Sequence, residues 1–125
     1  MSNSLLLVKS QENKRAADLL EQEKLYNAAT SRIYYSSYQL VLHILSKNNK
    51  TAITSGGGSH KQTITMLVSD ILTTPSERSK VQKLIKVRKD RNKCDYENNF
   101  NMIDTDYSMV KKKVEDAISV LNNYS

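Results

Sequence analysis

The segment from Leu25 to Lys47 constrains the fold more than any other part of the sequence. Its apolar residues recur at helical intervals and form two adjacent stripes. The stripes are Ala29, Ile33, Leu40, Ile44 and Tyr34, Tyr38, Val41, Leu45. Because a helix that is apolar around most of its circumference must be enclosed by other elements, the segment predicts the central helix of the fold.

Four further segments carry a single apolar stripe each and predict amphipathic helices. They cover residues 5–22, 59–73, 75–93 and 104–121. The predicted caps and their partners are Ser59 with Gln62, Thr74 with Pro75 and Glu77, and Asp104. Five helices joined by short links predict an all-α fold, an antiparallel up-and-down helical bundle. The three glycines within Thr54 to Ser59 predict a mobile loop between the second and third helices.

The chain length of 125 residues predicts a single domain spanning 1–125. A domain of this size buries a modest core, so we expect self-association, most simply as a homodimer. The single Cys94 excludes an internal disulfide and cannot form a zinc site alone, which fits a reducing cytoplasm. No segment is apolar for the roughly 20 residues that span a bilayer, and the sequence predicts neither a metal nor another cofactor.

Positive charge is concentrated in one predicted helix. The chain has 19 Lys and Arg against 13 Asp and Glu, a formal net charge of +6. Between residues 78 and 93 the basic residues are Arg78, Lys80, Lys83, Lys86, Arg88, Lys89, Arg91 and Lys93, and Asp90 is the single acid. This pattern indicates an anionic partner such as nucleic acid. The alternative is a solvated helix face without a ligand.

Three short motifs occur in a characteristic order along these helices. The first is Ser31, Arg32, Tyr34, Tyr35, Tyr38; the second is Ser59, His60; the third is Arg91, Asn92, Asp95, Tyr96. Together they resemble a bacterial branch of the HEPN superfamily, over about residues 10–122. The resemblance implies a helical bundle, often homodimeric, that occurs in toxin–antitoxin, CRISPR-linked and phage-defence systems. It also implies RNA cleavage without metal, by an Arg and a later His with four to six residues between them.

This chain departs from that pattern because Tyr96, Glu97 and Asn98 occupy the positions where the histidine would fall. We therefore predict Arg91, His60 and Tyr96 as catalytic residues of a metal-independent endoribonuclease, with His60 reaching Arg91 across the bundle. Asp95 could take the role of Tyr96. Arginine would stabilise the charge that develops on phosphate, and the other groups would move protons.

The remaining predictions concern binding. The residues expected to contact RNA are Arg32, Arg88, Lys89, Asn92 and Lys93. Arg32 has a second interpretation, because a charge in the most apolar helix needs a partner; a structural pair with Asp95 would tie two helices together. The three tyrosines near Arg32 are expected in the core or a dimer interface more often than as base-stacking platforms.

Two other functions remain open from the sequence. The first is a catalytically inactive HEPN module that binds RNA, a nucleotide, or a partner such as an antitoxin or a nucleotidyltransferase. In paired systems that this chain resembles, a tyrosine near the arginine motif can be modified by the partner enzyme, and Tyr96 is the corresponding position. The second is a structural subunit of a larger assembly.

Overall fold

The computed structural model describes residues 2–53 and 58–125, with side chains from residue 5 onward. Five α-helices and no strand occur within these residues. The helices are α1 (Ser2–Gln22), α2 (Tyr26–Lys47), α3 (Ser59–Asp70), α4 (Pro75–Tyr96) and α5 (Asp104–Leu121). The predicted all-α helical bundle is therefore confirmed. Most of the predicted mobile loop lies outside the described residues, which do not include 54–57.

The second helix is central, as its two apolar stripes predict. It packs against each of the other four helices, and twelve of its residues are buried. Contacts run in opposite directions along neighbouring helices: Ser31 and Tyr35 of α2 face Asp95 and Arg91 of α4, respectively. This antiparallel register brings the middle of α2 beside the C-terminal half of α4.

Helix starts follow the sequence signals in one case of three. Thr74 caps α4 with the reciprocal bonds to Glu77 that were predicted. At α3, however, Gly58 occupies the cap position with a φ of 77°, a left-handed conformation that glycine adopts without steric cost. Ser59 is thus the first helical residue, and the predicted Ser59 capping box is wrong.

The last helix also begins differently from the prediction. Ile103 occupies the cap position of α5, and the Asp104 carboxylate accepts a hydrogen bond from the Thr105 N–H at 2.8 Å. A carboxylate in the first turn is favourable there because it faces the positive end of the helix dipole. Asp104 therefore supports the helix start from within the helix.

The fourth helix continues to Tyr96, three residues beyond its predicted end at Lys93. Asp95 stabilises this extra turn in two ways: it accepts from Arg91 one turn earlier at 2.8 Å, and from the Ser31 hydroxyl of α2 at 3.3 Å. Pairs at this spacing stabilise a helix. The extension places Asp95 and Tyr96 on the helix rather than in the following loop.

One hydrophobic core joins the five helices. Its largest fully buried side chains come from all except α1 and include Tyr34, Ile33, Ile64, Leu84 and Tyr107. The first helix contributes mainly Ala17 to this core. Across the described residues, none of the helices combines the length and the apolarity needed to cross a membrane.

Candidate functional site at the junction of three helices

His60 is enclosed by tyrosines from the central helix. It lies in the first turn of α3, and its Nδ1 atom is 2.8 Å from the Tyr34 hydroxyl. The Tyr38 ring stacks on the imidazole with centroids 4.1 Å apart, while the Tyr35 ring meets it edge-on at 6.2 Å. These three tyrosines fix the position of His60 and leave the residue only partly exposed.

The hydroxyls of Tyr34 and Tyr38 stay protonated. Tyr34 is fully buried, and burial raises its pKa well above the ordinary value. Burial also raises the pKa of Tyr38. Because a buried phenol without its proton would carry an uncompensated charge, neither group serves as a nucleophile. The Tyr34 hydroxyl is hydrogen-bonded to His60, and the Tyr38 ring stacks on the imidazole.

Arg91 also contacts the ring of Tyr35. Its Cζ atom is 4.9 Å from the centre of the Tyr35 ring, within the range of a cation–π contact. The guanidinium donates to Asp95 at 2.8 Å, to the Asn92 side chain at 3.1 Å and to the Tyr96 hydroxyl at 3.5 Å. With all three nitrogens engaged, the side chain is 13% exposed.

The predicted structural pair between Arg32 and Asp95 is not formed among the described residues. Asp95 bonds to Arg91 and Ser31 instead. Arg32 donates to the Asn13 side chain of α1 at 3.1 Å and lines a groove between α1 and α2. The sequence prediction failed because α4 extends by a further turn, which brings Asp95 within reach of an arginine on its own helix.

Arg88 is the second cation of the site. It lies three residues before Arg91, on the same face of α4. Its Nε atom is buried and has no hydrogen-bond partner in the part of the chain that the structure describes. Burial lowers the pKa of His60, and the positive charges of Arg88 and Arg91 lower it further. The imidazole is therefore neutral at pH 7.

The structure brings together some of the predicted site residues and separates others. Arg91 and His60 both contact the ring of Tyr35, Tyr96 and Asn92 are bonded to Arg91, and the charge of Arg88 acts on His60. Three predicted RNA-contacting residues lie elsewhere. Arg32 faces α1, Lys93 lies 6.0 Å from the Phe100 ring, and Lys89 is exposed on α4.

Tyr34 and Tyr35 belong to the candidate site, which sequence reasoning did not predict. They were expected in the core or a dimer interface, yet the Tyr34 hydroxyl is hydrogen-bonded to His60 and the Tyr35 ring contacts both His60 and Arg91. A signal was available: in α2, positions 34, 35 and 38 place three phenols along one side of an apolar helix. Buried tyrosine hydroxyls require partners, and His60 is the partner of Tyr34.

The cluster, defined as His60, Tyr34, Tyr35, Tyr38, Arg88, Arg91, Asp95 and Tyr96, has a defined chemical capacity. A neutral imidazole can accept a proton from a hydroxyl group, and a guanidinium can stabilise an anion. Within the described residues there is no group of three or more His, Cys, Asp or Glu side chains that could hold a metal ion.

Comparison with known proteins adds no family assignment. The chain matches no protein-family model and no curated protein at a significant level. The HEPN resemblance therefore stays a prediction from the three motifs.

Proposed function

We propose that this chain is a HEPN-type, metal-independent endoribonuclease that acts as a toxin or phage-defence effector. The supporting observation is that Arg91 and His60, which are distant in sequence and were predicted as catalytic, both contact the ring of Tyr35, and that Arg91 donates to the hydroxyl of Tyr96, the third residue predicted as catalytic. His60 thus takes the place of the histidine that HEPN nucleases carry after the arginine.

The reaction needs a base, a cation and an acid. Neutral His60 removes the proton of the ribose 2′-hydroxyl, whose oxygen attacks the adjacent phosphorus. The bond from phosphorus to the 5′ oxygen breaks, and a guanidinium of the cluster stabilises the added negative charge. The Tyr96 hydroxyl donates a proton to the departing 5′ oxygen. The products are a 2′,3′-cyclic phosphate and a free 5′-hydroxyl.

The hydrogen bond between Tyr34 and His60 is compatible with either imidazole tautomer, and the proposed reaction uses the one with its hydrogen on Nδ1. When Nδ1 carries the hydrogen and donates it to the Tyr34 hydroxyl, Nε2 keeps a free lone pair. The surrounding burial and the two arginines favour the neutral imidazole. This combination gives a base that is already deprotonated at neutral pH.

The hydrogen bonds and low exposure of Arg91 favour a second function. Its three side-chain bonds, all to residues of α4, its contact with the Tyr35 ring of α2 and its 13% exposure match a residue with a structural role. Under this alternative the chain is an inactive HEPN module that binds RNA, a nucleotide, an antitoxin or a nucleotidyltransferase. The Tyr96 side chain is 71% exposed, so its hydroxyl is open to modification by such a partner.

Incubation with mixed RNA in EDTA separates the two functions. The parent is compared with Arg91→Ala and with Arg15→Ala, a matched control because Arg15 is exposed on α1. We expect cleavage with cyclic-phosphate ends by the parent and the control, and a loss of about 100-fold in Arg91→Ala. Thermal unfolding of each variant shows whether the loss reflects unfolding, and Arg91→Lys provides a variant that retains the charge.

Intact RNA in every lane would reject the nuclease. RNA binding that weakens steeply as salt is raised, without cleavage products, would then support the binding module, because contacts to phosphates release counterions.

A further inference from the structure

Arg88 differs from Arg91 in having no counter-charge. Arg91 is paired with Asp95, whereas Arg88 forms no ion pair with any described residue, and its buried Nε atom has no acceptor among them. The residues whose side chains are not described, 1–4 and 54–57, include no Asp or Glu. No carboxylate of this chain is therefore left to neutralise Arg88.

An unpaired guanidinium is unfavourable at a partly buried position. Arginine keeps its charge at any pH at which proteins fold, and removing a charge from water without a partner costs free energy. An anion supplied from outside would satisfy the exposed nitrogens of the guanidinium and lower this cost. The chain thus carries a cation whose partner is missing from its own side chains.

Arg88 is also directed at the chemistry of the site. Its charge acts on three groups of the cluster, the phenols of Tyr34 and Tyr38 and the imidazole of His60. Its influence in lowering the pKa of His60 exceeds that of Arg91. The charged and titratable groups around His60 are therefore the tyrosines of α2 and the two arginines of α4, with Arg88 the stronger of the two cations.

We propose that Arg88, rather than Arg91, binds the substrate phosphate beside His60, and that Arg91 is a positioning residue for Tyr35, Asp95 and Tyr96. The ligand is a phosphate group, carried by an RNA phosphodiester or by a nucleotide. The assignment of Arg88 to the scissile phosphate rests on the proposed nuclease function, while anion binding at Arg88 does not.

The first test measures the His60 ring by NMR in the intact chain, with inorganic phosphate as the probe at constant ionic strength. The chain has two histidines, so His60→Gln identifies the His60 signals. Phosphate bound at Arg88 places a negative charge near the imidazole, and we expect the pKa of His60 to rise by about 1. The same rise is expected in Lys83→Gln, a control on an exposed position of α4.

Arg88→Met removes the guanidinium and keeps an apolar side chain. We expect phosphate to leave the pKa of His60 unchanged in this variant, and its thermal unfolding temperature to equal or exceed that of the parent. An equal phosphate response in Arg88→Met and the parent, or none in the parent, would overturn the inference. Repeating the titration with a mononucleotide and with single-stranded RNA identifies the source of the phosphate by which ligand acts at the lowest concentration.

Cleavage assays separate this inference from the proposed function. If the parent cuts RNA, Arg88→Met should raise KM and abolish the phosphate response, whereas Arg91→Lys should lower kcat and keep that response. Cleavage by Arg88→Met with the same KM as the parent would reject the inference alone. A phosphate response that depends on Arg88, without any cleavage by the parent, would reject the nuclease alone.

Discussion

Two charged regions of the molecule are built on opposite principles. Where α1 meets α5, acids and bases alternate: Lys14 pairs with Asp18 at 3.0 Å and with Glu115 at 3.6 Å, and Lys111 pairs with Glu21 at 2.8 Å. These side chains are 29–49% exposed. Ion pairs of this kind contribute little to stability, because water screens them.

The junction of α2, α3 and α4 is unbalanced by contrast. Asp95 pairs with Arg91 there, Arg88 forms no ion pair with any described residue, and the imidazole between the aromatic rings cannot neutralise this second cation. The difference teaches how to distinguish the two kinds of charge in a basic protein. Charges that are paired and exposed neutralise one another at the surface with little effect on stability, whereas a partly buried cation without a partner indicates a binding site. The following predictions test this distinction, from the largest expected effect to the smallest.

The largest effect is expected for His60→Ala. Removing a positioned base lowers the rate by about 100-fold or more, so RNA cleavage in EDTA should fall by that factor. Lys111→Ala, in the balanced region, should cleave at the parent rate. Added imidazole should restore part of the activity of His60→Ala, and a failure of this rescue together with a lower unfolding temperature would assign His60 a structural role only.

A smaller effect is expected for the hydroxyl of Tyr34, with Tyr107 as its matched control. Both side chains are fully buried, but Tyr34 bonds His60 while the Tyr107 hydroxyl has no partner within the described residues. Tyr34→Phe should lower the free energy of unfolding by about 1 kcal/mol. Tyr107→Phe should leave it unchanged or raise it. Urea denaturation measures both, and equal losses would contradict the difference between the regions.

The stability of the fold should depend on pH through His60, which lies in the unbalanced region. The pKa of His60 in the folded chain lies below the ordinary 6.5, so the unfolded chain takes up the proton first as the pH falls. The free energy of unfolding should therefore decrease below pH 6.5 and level off at the folded-state pKa. His60→Gln should show a smaller decrease in urea titrations at several pH values. If the free energy of unfolding decreases as much in His60→Gln as in the parent, groups other than His60 cause the decrease.

The smallest effect is expected in the balanced region. A double-mutant cycle on Lys111 and Glu21 should give a coupling free energy below about 1 kcal/mol, reduced further by added salt. A coupling of several kcal/mol would mean that exposed pairs also stabilise this bundle, and the contrast between the two regions would no longer hold.

The helical fold could be predicted from the sequence because the apolar residues of α2 recur at helical intervals around most of its circumference. Such a helix must be enclosed by other elements. Helix ends were harder. Thr74, Pro75 and Glu77 carry a complete local signal, and that start was correct. The end of α4 depends on Ser31, which lies 64 residues from Asp95, and no local pattern contains that contact.

The sequence motifs named residues of the candidate site but not the bonds between them. Of the named residues, Arg91 is bonded to Tyr96, and Arg91 and His60 contact the same Tyr35 ring. They could not show that Asp95 pairs with Arg91 and leaves Arg32 to Asn13. The choice between two arginines depends on side-chain reach in the folded bundle, which the sequence pattern does not contain.

The division of the cluster among three helices has a consequence for protein synthesis. The tyrosines come from α2, the histidine from α3 and the arginines from α4. A segment that contains all of these groups must therefore run from α2 into α4. A chain still emerging from the ribosome cannot assemble the cluster before α4 has left the exit tunnel. An activity that depends on the cluster would therefore be silent beside the messenger and ribosomal RNA during translation, and would begin with the docking of the fourth helix.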